Sequence, residues 1–393
     1  MDRPRIAIIG AGLGGTTAAI LLHRAGYRVR VYEQAPQLAR IGAGINLGAN
    51  VMRIAHHLGL ATAMYDIGIA PTRHLSREWD TGRVLFDAPL DRWAEAYGAR
   101  NLIMHRGDLQ TVLAGALPDG IITFDRRLID MRPRGAGVQM VFADASRAEA
   151  DIVIGADGVN SSVREILLGP EPPIYTGFVA YRAIFPAARM GRRRLASDFA
   201  KWWSDERHPA AEDRHFLVYY LTRARNEIYI VTGSPHPEWP GDTASVPATM
   251  AEIKACYEGF HQEVQDVIDA CPQASKWPLQ ERTPFDCWST GAAVLLGDAC
   301  HPMKPHMGQG ANMAMEDAVV LVRCLQHCAD PADAFRLYEA NRIDRTSRVQ
   351  RESHVNTWMK HDTDPGWVFA YDALTVPLLP PTPAPQPQFM EPS

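Results

Sequence analysis

The segment Gly10-Ala11-Gly12-Leu13-Gly14-Gly15 follows the apolar run Ile6-Ala7-Ile8-Ile9. A glycine loop of this form after a buried strand is built to hold a pyrophosphate. Gly10 permits the tight turn, Gly12 lets the backbone approach the phosphates, and Gly15 lets the next helix pack on the strand. That helix, expected over residues 16–24, turns its N-terminal amides and the positive end of its dipole toward the phosphates. It stops at Ala25-Gly26, where glycine supplies the break. A second strand, Arg28 to Tyr32, ends at Glu33-Gln34. Glu33 lies about 20 residues beyond the glycines, where a carboxylate accepts hydrogen bonds from ribose hydroxyls. The pattern serves FAD and NAD alike.

Two distant segments narrow the choice. Asp151-Ile152-Val153-Ile154-Gly155-Ala156-Asp157-Gly158 and Ala293-Val294-Leu295-Leu296-Gly297-Asp298-Ala299 each read as a buried strand running into a Gly/Asp turn. With the first glycine loop they resemble the class A flavoprotein aromatic hydroxylases, the para-hydroxybenzoate hydroxylase-like family, from residue 5 to about residue 360. The resemblance implies non-covalent FAD, with NADH or NADPH and O2 as co-substrates. It implies that Asp298 holds the ribityl chain and that Asp157 lies near the pyrophosphate. Arg106, in His105-Arg106-Gly107-Asp108-Leu109, would also touch the cofactor, as would Leu13 and Gln34. The run Pro305-His306-Met307-Gly308-Gln309-Gly310-Ala311-Asn312 matches the loop beside the isoalloxazine, which makes Gly308, Gly310, Ala311 and Asn312 cofactor contacts. A helix is expected after it, to about Cys324. No second GxGxxG follows a strand, and in the resembled family NAD(P)H visits without a domain of its own.

Strand candidates with aromatic content stand between Asp157 and Asp298, at residues 177–185, 215–222 and 227–233. The last two read as a hairpin in which His215, Leu217, Tyr219 and Leu221 share one face. A five-residue loop sets Tyr219 opposite Val231, and a four-residue loop sets it opposite Ile230. Gly42-Ala43-Gly44-Ile45, Lys201-Trp202-Trp203-Ser204, Val231-Thr232-Gly233-Ser234 and His301-Pro302-Met303-Lys304 are similar to the decarboxylating branch of that family that takes hydroxylated pyridine carboxylates. By that resemblance Tyr219, His215 and His306 are catalytic, and Asn46, Val231 and His301 contact substrate. The branch has a histidine where this chain has Asn46, and extra residues stand between Asp205 and Asp213. An asparagine amide hydrogen-bonds but is no base near neutral pH. The implied reaction is hydroxylation of a small aromatic or pyridine carboxylate activated by a ring hydroxyl, with loss of CO2. Salicylate- and 4-hydroxybenzoate-type hydroxylases share these motifs. A flavin halogenase would need a WxWxIP stretch, which is absent, and a non-enzymatic flavin-binding regulator is the rival of a different class.

The elements that must position these residues describe an α/β chain. A Rossmann-like FAD-binding domain (residues 1–72, 98–170 and 285–330) is expected to carry an inserted β-sheet substrate domain (73–97 and 171–284). A helical segment (331–375) and a proline-rich tail (376–393) follow. The 393 residues exceed one simple core. A net charge of −5 makes no electrostatic case for nucleic acid, and no apolar run reaches the about 18 residues that span a membrane. The six cysteines form no CxxC pair, so reduced thiols, no metal site and a cytoplasmic location are expected.

Overall fold

Ile6 to Ile9 are buried on every side, and an apolar run of that length belongs in the middle of a sheet. In the computed structural model, which describes residues 3–40, 43–208, 214–239 and 243–381, this strand, Arg5–Ile9, is central in a six-stranded sheet. The order is Ser289–Thr290, Ala293–Leu295, Ile152–Gly155, Arg5–Ile9, Arg28–Tyr32 and Ile122–Thr123. All neighbours are parallel except the Ser289–Thr290 edge. Ile9 pairs with Gly155 and Tyr32, and Gly155 with Leu295. Gly10, Glu33, Ala156 and Leu296 therefore leave the sheet at one edge, and three segments far apart in sequence meet there. The first helix is Leu13–Arg24, starting at Leu13 rather than Thr16 because the extended Gly12 is its N-cap.

A second sheet has eight strands in the order Val246–Ala248, Ala274–Glu281, Ile174–Pro186, Glu227–Pro235, His215–Tyr220, Phe199–Trp203, His74–Glu78 and Val84–Ala88. It builds its own core around Tyr181, Phe185, Trp202, Phe216 and Tyr257. Its hairpin corrects both expected registers: Tyr219 opposes Tyr229, and Leu217 opposes Val231. Leu221 N donates to Glu227 O at 3.0 Å, so the loop is residues 222–226, five residues long but one position earlier than expected. Arg225 takes a left-handed φ of 52°, and the Asn226 amide donates to Thr222 Oγ1 at 3.2 Å. A short antiparallel ribbon, Gly44–Leu47 with Leu102–His105, lies between the two cores. Alternation sends Leu102 and Met104 into the first core and Ile103 into the second. Of the stretch from Asp205 to Asp213, residues 209–213 lie outside the described residues, as do Gly42 and residues 382–393 of the tail. Among the described residues no helix is long and apolar enough to cross a membrane, and no His, Cys, Asp and Glu cluster could hold a metal.

The helix Gly310–His327, longer than expected at both ends, is pinned by buried charge. Asp317 accepts Arg342 Nε at 2.7 Å, the Gly297 amide at 3.1 Å and His301 Nε2 at 2.6 Å. Glu316 accepts Arg345 Nε at 2.8 Å and Asn50 Nδ2 at 2.7 Å, and its Oε2 lies 2.9 Å from an Arg342 nitrogen. Glu316, Asp317 and Arg342 are fully buried. Burial opposes ionisation of both acids, but their cationic neighbours outweigh it and hold both carboxyls below the usual range. This cluster ties the loop before Asp298 to the helices of residues 310–327 and 331–355.

Removing one partner of such a buried cluster strands the others. Arg342→Met is expected to cost about 3–5 kcal/mol of unfolding free energy in urea titration. A depressed carboxyl pKa stabilises the fold above the unfolded value of about 4 and loses that stability as pH falls through the lower folded value. The parent is therefore expected to lose stability below about pH 4, and Arg342→Met to show a shallower acid dependence in the same titration.

Candidate active site

A cavity of about 870 Å³ opens where the second sheet meets the Gly44–Leu47 strand and the loop of residues 302–311. The sheet contributes two cross-strand rows to its wall. One row runs Lys201, Leu217, Val231, Arg182, and the other runs Phe199, Tyr219, Tyr229, Ile184. Of these only Ile184 is not in the wall. Asn46, Asp298, His306, Gly308, Gly310 and Ala311 also line the cavity, so most of the predicted substrate side and part of the predicted cofactor side share one space.

The glycines divide into two kinds. A Cβ on Gly10, whose φ is +101°, would meet Ala156 O at 2.4 Å, and one on Gly15 would meet Gly10 O at 2.2 Å. These two let the chain pack on itself. A Cβ on Gly12 would find only Ala156 O at 3.9 Å, one on Gly308 nothing nearer than Asn46 at 3.8 Å, and one on Gly310 nothing nearer than Met303 at 3.7 Å. Bare backbone there faces open space. The helices Leu13–Arg24 and Gly310–His327 both lack a side-chain cap and an acidic residue in the first turn, so their positive ends are free for an anion. Asp298 is open to the cavity and has no hydrogen-bond partner among the described residues. Enclosure by protein raises its carboxyl pKa, opposed by His301 and the exposed Arg106 nearby. Glu33 accepts the amides of Ala11 at 2.8 Å and Ala35 at 2.9 Å, which sets its carboxylate at the sheet edge beside exposed Gln34. This donor and acceptor set fits FAD: two anion-seeking helix starts, a bare glycine approach and a carboxylate for hydroxyls at each end.

Three predicted site residues also make contacts that hold the frame. Asp157 accepts Ser161 Oγ at 2.5 Å and the Val163 amide at 3.1 Å, capping the helix Ser162–Leu168, and is not in the cavity wall. His301 gives Nε2 to Asp317 while its Nδ1 is buried without a partner, and it too is outside the wall. Asn312 is fully buried; it accepts the Gly48 amide at 2.9 Å and donates to Asn46 O at 3.0 Å and Gly308 O at 2.9 Å. It thereby clamps the Asn46 strand to the Gly308 loop.

The remaining polar groups are complementary in kind. The Tyr219 phenol lies over Gly44, where a Cβ would come within 2.6 Å of its oxygen. Burial, with Tyr229 adding and Arg182 opposing, pushes it well above the usual tyrosine range, so it is a donor. His306 Nδ1 faces Ser353 O at 2.9 Å and Nε2 is buried without a partner. Burial, reinforced by Lys201, pushes its pKa down to about 3, so the neutral ring donates from Nδ1 and offers Nε2 as an acceptor. His215 stands one layer back, edge-on to His306 with centroids 5.2 Å apart, and its Nδ1 accepts from Asn356 Nδ2 at 3.3 Å. Asn46 Oδ1 is buried and unpartnered. Sequence reasoning missed Lys201 and Arg182, two cations in the wall. Nothing in a single strand's alternation marks a lysine as cavity-facing until the register is known.

The FAD binding domain family matches residues 3–353. The chain is 50% identical over 381 residues to the 6-hydroxynicotinate 3-monooxygenase of Bordetella bronchiseptica, covering 96% of this chain and 97% of that one. It is 48% identical over 382 residues to the 6-hydroxynicotinate 3-monooxygenase of Pseudomonas fluorescens, with coverage of 96% and 97%. Among solved structures, Klebsiella pneumoniae HpxO complexed with FAD and uric acid matches with a TM-score of 0.79 and 26% identity, over 93% of this chain and 91% of that one.

The two kinds of glycine separate in a direct test. Gly12→Ala, unstrained at φ −67°, is expected to melt with the parent but to bind FAD at least about tenfold more weakly by flavin fluorescence titration. Gly10→Ala meets both a clash and a left-handed backbone, and is expected to lose more than about 1–3 kcal/mol of stability in urea.

Proposed function

The chain belongs to the FAD binding domain family and is an FAD-dependent aromatic-ring monooxygenase, and on that premise we propose that it hydroxylates a ring carboxylate with loss of CO2, 6-hydroxynicotinate being the leading substrate. One observation supports this reading above the others. A single cavity joins Asp298, Gly308 and Gly310 to a wall with an aromatic donor, Tyr219, an open acceptor, Asn46 Oδ1, and two cations. The overall change balances as ring carboxylate, O2, NAD(P)H and two protons giving ring hydroxyl, CO2, NAD(P)+ and water. The bond to the carboxyl carbon breaks as the new bond to oxygen forms. FAD, when bound, couples NAD(P)H oxidation to activation of O2, chemistry that no side chain here supplies.

The side chains orient and polarise. Asp298 and the helix starts at Leu13 and Gly310 would hold the cofactor, with Glu33, Gln34 and Arg106 at its outer parts. Tyr219, kept protonated by burial, donates to the ring oxygen and stabilises the negative charge that activates the ring toward attack. Asn46 Oδ1 accepts from a ring N–H or O–H but takes no proton. Proton acceptance falls to His306 Nε2, whose basicity recovers when an anionic substrate sits beside it. His215 positions the His306 ring from behind. Val231 and Leu217 supply apolar surface against the ring and help exclude water.

The decisive assay is NAD(P)H oxidation by the holoenzyme over hydroxylated pyridine and benzene carboxylates, with product and CO2 measured. One CO2 per NAD(P)H with 6-hydroxynicotinate is the expected result. Stimulation without CO2 release would sink the decarboxylating reading. Tyr219→Phe is expected to lower turnover by about 10²–10³-fold, as removal of an oxyanion donor does, and to divert O2 into H2O2. Unchanged turnover and coupling would remove Tyr219 from the mechanism.

A further inference from the structure

Lys201 is an ammonium in the wrong place for a structural lysine. It sits mid-strand in Phe199–Trp203, is 4% exposed, and lines the cavity. No carboxylate pairs with it among the described residues. Its Nζ donates to Asn356 Oδ1 at 3.2 Å and lies 3.5 Å from the centroid of the Trp203 ring. An ammonium has three donors, and a carbonyl oxygen and an indole face leave one without a partner. Burying a cation with so little compensation costs several kcal/mol, and such a group persists where something anionic comes to meet it.

The support around Lys201 is specific. Asn356 ends the Pro331–Val355 helix in a left-handed conformation, φ 57°, which aims its amide back at the sheet. The same amide donates from Nδ2 to His215 Nδ1 at 3.3 Å, so its oxygen is committed to Lys201. Across the row, Arg182 lies three strands away, about 14 Å at the backbone, with Leu217 and Val231 between. Arg182 is the cation whose charge reaches the phenols of Tyr219 and Tyr229, whereas Lys201 is the one whose charge reaches His215 and His306. The two cations therefore serve different ends of a flat ligand laid across the two apolar residues.

We propose that Lys201 is a specificity-determining residue that receives the carboxylate of the substrate, with the ring lying over Leu217 and Val231 and its oxygen toward Tyr219 and Arg182. The inference rests on the aromatic-carboxylate reading of the cavity. It adds which cation selects for the acid. Burial lowers the Lys201 pKa well below the usual lysine range, and an adjacent carboxylate opposes that shift by favouring the charged amine.

The test compares ligands that differ only in the carboxylate, titrated into FAD-loaded enzyme by the change in flavin absorbance. The probes are 6-hydroxynicotinate against 2-hydroxypyridine, and 4-hydroxybenzoate against phenol. Lys201→Met is expected to weaken the acids by about 10- to 100-fold and to leave the carboxylate-free partners within about twofold. Its melting temperature should equal or exceed that of the parent, because an apolar side chain replaces an uncompensated cation. Lys201→Gln is the second variant should the methionine not fit, with the same selectivity expected. Equal weakening of acid and acid-free ligands, a selective loss in Arg182→Met instead, or a parent enzyme with no preference for the acids would each overturn the proposal. Failure of the functional reading looks different: the acids bind with Lys201-dependent selectivity but stimulate no NAD(P)H oxidation.

Discussion

Two adjacent acids buried in one helix govern the site without touching it. Glu316 and Asp317 lie buried where the helices Gly310–His327 and Pro331–Val355 meet, and there each must be matched by a cation or protonated. Arg342 and Arg345 match them, and the leftover capacity of Asp317 is used on the Gly297 amide and His301. The turn that presents Asp298 is thus bolted to a helix whose own N-terminus opens on the cavity. The acid that faces the ligand and the dipole that faces it move as one piece.

The cavity works by contrast with that cluster. In the cluster, the carboxylates and guanidiniums are paired and hydrogen-bonded. Inside the cavity, Tyr219, His306, Asn46, Lys201 and Arg182 each keep a donor or acceptor without a protein partner. Burial shifts all three titratable groups toward their neutral forms: the phenol is pushed up, and the imidazole and the amine are pushed down. A buried wall of incompletely satisfied groups that includes two basic side chains attracts a polar anion more than an apolar ring without one, because only the former supplies the missing partners.

Several residues with the look of a catalytic set hold the frame. His301 and Asp317 are a buried pair, Asp157 is a helix cap, and Asn312 is a clamp between two loops. Their types suit binding chemistry equally well in a list. Asp157, Asp317 and Asn312 already have hydrogen-bond partners, whereas His306 Nε2 and Asn46 Oδ1 have none, and that accounting needs coordinates.

Local pattern was enough for the first half of the reading. The glycine spacing, the apolar runs ending in Gly/Asp turns and the acid after the second strand depend on steric and burial rules that act within a few residues, so they were legible in the chain. Parallel pairing then brought Gly10, Ala156 and Leu296 to one edge, as those runs implied. The hairpin register was not legible, because the loop falls at residues 222–226, one position earlier than expected, which places Tyr229 beside Tyr219 and Val231 beside Leu217. That register also put Lys201 and Arg182 in one row, two cations that the sequence does not mark as facing the cavity. Sequence determines which groups exist and which short elements carry them. Only the tertiary structure decides which of those groups lose water without gaining a partner, since desolvation is a property of what lies on the other side.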